Sequence, residues 1–71
     1  MSLLEHLSEK YDFGIEPKHH HMNALELINW IVEQTQHEKS EVVYQFYKYW
    51  GWSDRMAKVK TSEFLDGGYL W

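Results

Sequence analysis

Between Glu41 and Trp50 the chain reads Glu-Val-Val-Tyr-Gln-Phe-Tyr-Lys-Tyr-Trp, and only Glu41, Gln45 and Lys48 in it are clearly polar. This stretch constrains the fold more than any other. At helical spacing Val43, Phe46, Tyr47 and Trp50 form a central stripe, Val42 and Tyr49 widen it on one side, and Tyr44 widens it on the other. A surface helix buries an apolar arc a little over ~100° wide, and this one spans about twice that. Such a helix sits at the centre of its fold or against another molecule. Ser40 is the expected N-cap and Gly51 the expected stop.

The neighbouring segments also carry helix signals. Ser2 and Glu5 have capping-box spacing, and Leu3, Leu4, Leu7 and Tyr11 fall on one face, so a first helix is expected within residues 1–13. Gly14 and Pro17 should end it, leaving 14–22 as a linker. Asn23 and Glu26 form a second capping box before a helix over about 24–36, whose stripe is Ala24, Leu25, Ile28, Ile31, Val32 and Thr35. Ser53 can cap a fourth, weaker helix reaching Lys60 with Met56 and Val59 inward. Thr61-Ser62-Glu63 then restarts a turn toward Phe64 and Leu65. Asp66-Gly67-Gly68 signals a turn, and Tyr69-Leu70-Trp71 reads as a short tail packed by its aromatics. The expected fold is all-α. It is a single domain, a small bundle of three to four short helices with a main unit over 23–71. Ile28, Ile31, Val32, Val43, Phe46, Tyr47 and Trp50 are its expected core.

With 71 residues, one core rarely supplies more than roughly 3–5 kcal/mol, so scaffolds of this size usually need a staple. The chain has no cysteine, which excludes disulfides and thiolate zinc sites. Four Trp, five Tyr and three Phe provide large side chains instead, and this load should overflow onto the surface. No run reaches the ~20 apolar residues of a membrane span. Glu5 and Glu9 stand where a signal peptide would be basic and then apolar, so a cytoplasmic protein is expected.

Catalysis is not expected. The chain has no Gly-rich phosphate loop, no HExxH and no local nucleophile–base pattern. Glu38 and Glu41 are a turn apart, but at a helix start, where acids suit the dipole. His19-His20-His21 invites a metal reading, since His19 and His21 share a side in an extended chain. Nothing in the spacing demands an ion, a polar linker explains the run better, and neither metal nor cofactor is expected.

Net charge is −4, yet residues 42–60 carry Lys48, Arg55, Lys58 and Lys60 against Asp54 alone. Two functions remain in contention. In the first, the segment over residues 40–60 is the second half of a helix-turn-helix. Gln45 and Lys48 then meet bases or phosphates, and Arg55, Lys58 and Lys60 hold the backbone. Glu38 and Glu41 at the N-terminal end of that recognition helix, and the acidic whole, oppose this.

In the second, the chain is a non-enzymatic module that binds a protein partner or forms a homodimer through aromatics. Trp30 lies off the stripe of its helix with Leu27 one turn away, and Tyr44, Tyr49 and Trp52 are the other expected contacts. Replacing Trp30 by Ala should then weaken association and leave helix content largely intact. A short, cysteine-free, acidic, aromatic-rich helical chain is similar in composition to small phage-encoded regulators. That resemblance implies a partner among transcription or replication proteins, with the basic residues touching DNA beside it or an acidic surface on it.

Overall fold

The structure, a computed structural model, describes residues 2–68 and residue 70. It contains four α-helices, α1 (Leu3–Tyr11), α2 (Ala24–Thr35), α3 (Lys39–Tyr49) and α4 (Asp54–Leu65), with a short 3₁₀ helix at Pro17–His21 before α2. No strand occurs among the described residues, and none of the helices is long and apolar enough to cross a membrane.

Local chemistry accounts for most of the helix starts. The Ser2 hydroxyl accepts the Glu5 N–H at 3.2 Å, and the Ser53 hydroxyl accepts that of Met56 at 3.3 Å. At α2 the box is reciprocal: Asn23 Oδ1 accepts the Glu26 N–H at 2.8 Å and Glu26 Oε1 accepts the Asn23 N–H at 3.3 Å. The start of α3 differs from expectation. Glu38, not Ser40, occupies the N-cap and makes no side-chain capping bond, so Ser40 lies inside the first turn. The α3 start is therefore held by packing more than by its cap.

The helix ends also depart in part from the sequence reading. α1 stops at Asp12, which takes the left-handed conformation at φ 55° two residues before the expected Gly14. α2 likewise ends on Gln36 at φ 61°. A residue with a Cβ pays roughly 1–2 kcal/mol in that region. Gln36→Gly should therefore raise stability by about 1 kcal/mol, part of the relief being offset by the freer unfolded chain. Chemical denaturation would read this as a higher midpoint at unchanged slope, and an unchanged or lower midpoint would show that the Gln36 side chain has a role of its own.

α3 ends as expected at Gly51, whose φ of 96° suits glycine. The Gly51 N–H donates to the Lys48 carbonyl and the Trp52 N–H to the Tyr47 carbonyl, both at 3.1 Å. This double closure normally brings the residue two past the cap against the last turn. Here it lays the Trp52 ring edge-on to Tyr47, with centroids 6.3 Å apart. α4 runs unbroken to Leu65 and closes the same way at Gly67 and Gly68, with no break near Lys60. Of the expected tail, Leu70 packs on the core, while Tyr69 and Trp71 lie outside the described residues.

α3 is the central helix, packed between α2 and α4. Val42, Val43, Phe46 and Tyr47 are fully buried, and Leu7, Tyr11, Leu27, Ile28, Ile31 and Ala57 close around them. Several residues expected to face the core differ. Val32 is only partly buried. Trp50 sits just past the helix end and is 38 % exposed, its ring edge-on to Phe46 and Tyr47 at the rim of the core. Met56 and Val59 point outward, because α4 turns Ala57 and Thr61 toward α3. A small Ala lets the two backbones approach, and the Thr61 hydroxyl is satisfied inside its own helix by donating to the Ala57 carbonyl at 2.7 Å.

The stretch expected as a linker is structured. Its 3₁₀ helix buries His19, which is 2 % exposed and sits edge-on to Trp30 of α2 at 4.4 Å and to Phe13 at 5.5 Å. His19 Nδ1 accepts the Glu16 N–H at 2.9 Å, which fixes the ring as the acceptor at that nitrogen. At the last residue of α1, the Tyr11 ring lies edge-on to His37 at 4.9 Å, and His37 Nδ1 lies 2.9 Å from Glu41 Oε2. Burial, and then the Glu41 charge, push the Tyr11 hydroxyl well above the ordinary tyrosine range. α1 is thus pinned through aromatic side chains to α2, to the turn after it and to α3.

Candidate functional site

α3 and α4 form an antiparallel pair joined by the tight turn at residues 50–53, and an open groove of about 590 Å³ runs along one side of it. Its α3 wall is Ser40 and Glu41 and, one helical turn further on, Tyr44. Its α4 wall is Lys58, Thr61, Ser62 and Leu65, with Asp66 at the end. The groove exists because Ala57 and Thr61 seat α4 closely on α3 while Tyr44 and Leu65 stand up at its edges. Leu65 is 44 % exposed.

The groove-lining Tyr44 belongs to a charge cluster. The Tyr44 hydroxyl donates to Asp54 Oδ1 at 2.7 Å, and Lys48 Nζ approaches the same oxygen at 2.9 Å. The Tyr44 hydrogen bond first, and Lys48 after it, hold the Asp54 carboxyl below the usual aspartate range. Reciprocally, the bond to Asp54 raises both the Tyr44 hydroxyl and the Lys48 ammonium. The cluster therefore stays an ion pair with a neutral phenol at ordinary pH, and it orients the Tyr44 ring along the groove wall.

The residues expected to contact a partner are spread over the molecule. Leu27, expected on an open flank, is buried at 6 % exposure in the core, because α2 rotates its Leu27–Ile28–Ile31 edge toward α3. Trp30 is partly buried and faces inward onto Phe13, at 5.0 Å, and onto His19, with Lys18 Nζ 5.5 Å from its ring centre. Trp52 is partly buried beside Tyr47, with Lys60 Nζ 5.3 Å over it. Tyr49 is 38 % exposed on the flank toward α1, its ring 5.6 Å from His6. Tyr44 alone of the five lines the groove.

The basic residues divide more sharply. Lys48 pairs with Asp54, and Lys60 pairs with Glu63 at 3.8 Å. Gln45 is partly buried. Arg55 and Lys58 are exposed and make no ion pair with a described residue. Sequence reasoning missed Met56 and Val59 as surface residues, since it turned the larger apolar side chains of α4 inward, and it left Leu65 in a restarted turn with no face assigned. The signal that would have found them is the alternative pair Ala57 and Thr61 at four-residue spacing. His19 and His21 do not share a side: His19 is buried and His21 exposed. Among the described residues no three His, Asp or Glu side chains gather at a metal-holding spacing.

Fold and site together define a small helical fold, with no strand among the described residues and an open groove of mixed polar and apolar lining on its last helix pair. No family model matches the chain, and no curated protein or solved structure matches it significantly.

Proposed function

We propose that this chain is a non-enzymatic binding module that docks a protein partner on its α3–α4 pair and regulates that partner by occupying it. The observation that carries this reading is where the exposed apolar side chains fall. Tyr44 and Leu65 stand at the groove, and Met56 and Val59 continue the apolar surface on the outer side of α4. Aromatic and aliphatic anchors beside a groove are what partner side chains bury into. Little in the groove suits chemistry: its acids and its lysine are open to solvent, and the buried Thr61 hydroxyl in its wall donates to the Ala57 carbonyl of its own helix. Nucleic-acid binding through residues 40–60 has weaker support, because α3 is held between α2 and α4 and Lys48 is tied to Asp54.

Site-specific photocrosslinking tests the reading. A benzophenone amino acid in place of Ser62, in the groove, should trap a discrete protein adduct in cells that carry the protein. The same group in place of Glu33, exposed on α2, should trap none. Equal adducts at both positions, or none at position 62, would remove the groove from the binding site.

A further inference from the structure

We propose that the outer face of α4 is a docking strip for an acidic amphipathic helix of the partner protein. This rests on the reading of the α3–α4 pair as the docking surface and names the chemistry of what docks there. Arg55 and Lys58 stand one turn apart on α4, and Val59 lies one turn after Arg55. Met56 lies one turn before Val59, and the two apolar side chains are 40 % and 43 % exposed.

Charge selects the occupant. The protein carries a net charge of −4, and its other cations are largely matched or surrounded by its own acids. Lys18 pairs with Glu16, Lys48 with Asp54 and Lys60 with Glu63. Lys10 lies among Glu9 and Asp12 in the sequence, and Lys39 among Glu38 and Glu41. Arg55 and Lys58 stand together near Asp54, whose carboxylate is already bonded by Tyr44 and Lys48, so the two remain a local excess of positive charge with an apolar ridge on one side of them. A helix with two carboxylates a turn apart and an apolar row beside them satisfies both features at once. Acids at that spacing meet the two cations while the apolar row covers Met56 and Val59.

A nucleic acid fits the strip less well. Phosphate affinity grows with the number of cations engaged. Here two are available on an acidic protein, and the apolar ridge beside them offers a phosphate backbone nothing. A second copy of the chain would have to bring one of its acidic segments to this strip against the repulsion between two acidic molecules.

Two synthetic helical peptides with the same leucine row test this, one carrying glutamates beside the row and the other lysines in their place. Amide spectra of the full chain should show the glutamate peptide shifting resonances within residues 54–63 and the lysine peptide binding at least about tenfold more weakly. In the double variant Arg55→Glu, Lys58→Glu the preference should reverse. Both side chains are exposed, so the unshifted core resonances of that variant verify its fold.

Equal binding of the two peptides at α4 would overturn the acidic partner and leave the docking surface standing. No shift at α4 with either peptide would overturn the strip itself, and crosslinking at position 62 then judges the groove separately. A random DNA duplex that shifts the same amides more strongly than the glutamate peptide, with steep salt dependence, would replace the proposal with a nucleic acid. Shifts that grow with protein concentration alone, and vanish in the double variant, would replace it with a second copy.

Discussion

Phe46→Ala is expected to unfold most of the chain. Phe46 is fully buried at the middle of α3, the helix that packs against both α2 and α4. Emptying a fully buried phenylalanine site costs about 3–5 kcal/mol when the surroundings collapse only partly. A core of this size supplies roughly the same amount. The deletion therefore removes about as much stability as the domain has, and no disulfide or thiolate metal site offsets it. Circular dichroism at room temperature should show most of the helical signal gone and no cooperative melt. A cooperative transition with under about 1 kcal/mol lost would mean that α3 is not the centre of the bundle.

Trp30→Ala should destabilise by about 2–3 kcal/mol, less than a fully buried indole because part of the ring faces solvent. One face of Trp30 covers Phe13 and His19, so it holds the 3₁₀ helix and the end of α1 onto α2. Exposed on removal of the indole, His19 should exchange its protons with solvent faster than before. The placement of Trp30 off the main stripe of α2 suggests a partner contact from sequence alone. The structure moves the expected effect from association to stability, because a preceding segment folds back and takes the place of a partner. Equilibrium denaturation with Trp30→Phe as companion separates the cases: a ring that serves packing is largely restored by Phe, whereas a stability unchanged by Ala would return Trp30 to the surface.

The reasons for agreement and disagreement with the sequence lie in how local each signal is. Asn23 and Glu26 reach only their own helix turn, so α2 is legible three residues at a time. The central place of α3 is legible because no single neighbour can cover an apolar arc that wide. The inward face of α4 is not legible, since it depends on how closely α4 approaches α3. Ala57 and Thr61 win that face by being small, while Met56 and Val59 look better on hydrophobicity. His19 is lost for a similar reason: a histidine becomes a core residue only where Phe13 and Trp30, distant in sequence, close over it. The groove inherits both difficulties. Tyr44 is visible as an extra apolar edge on α3, but Leu65 joins it only through the seating of α4.

The seating of α3 between its two sequence neighbours has a kinetic consequence. Its partners lie across turns of residues 36–38 and 50–53, so the central contacts form between segments that are already close along the chain. Little loop-closure entropy is lost before those contacts form. Helical folds built this way reach the native state on the order of microseconds to milliseconds. Only the return of α1, through Tyr11 on His37 and Phe13 on Trp30, has to wait for an assembled surface. The first helix, which adds Leu7 and Tyr11 to the core, is then the last to dock and the first to leave.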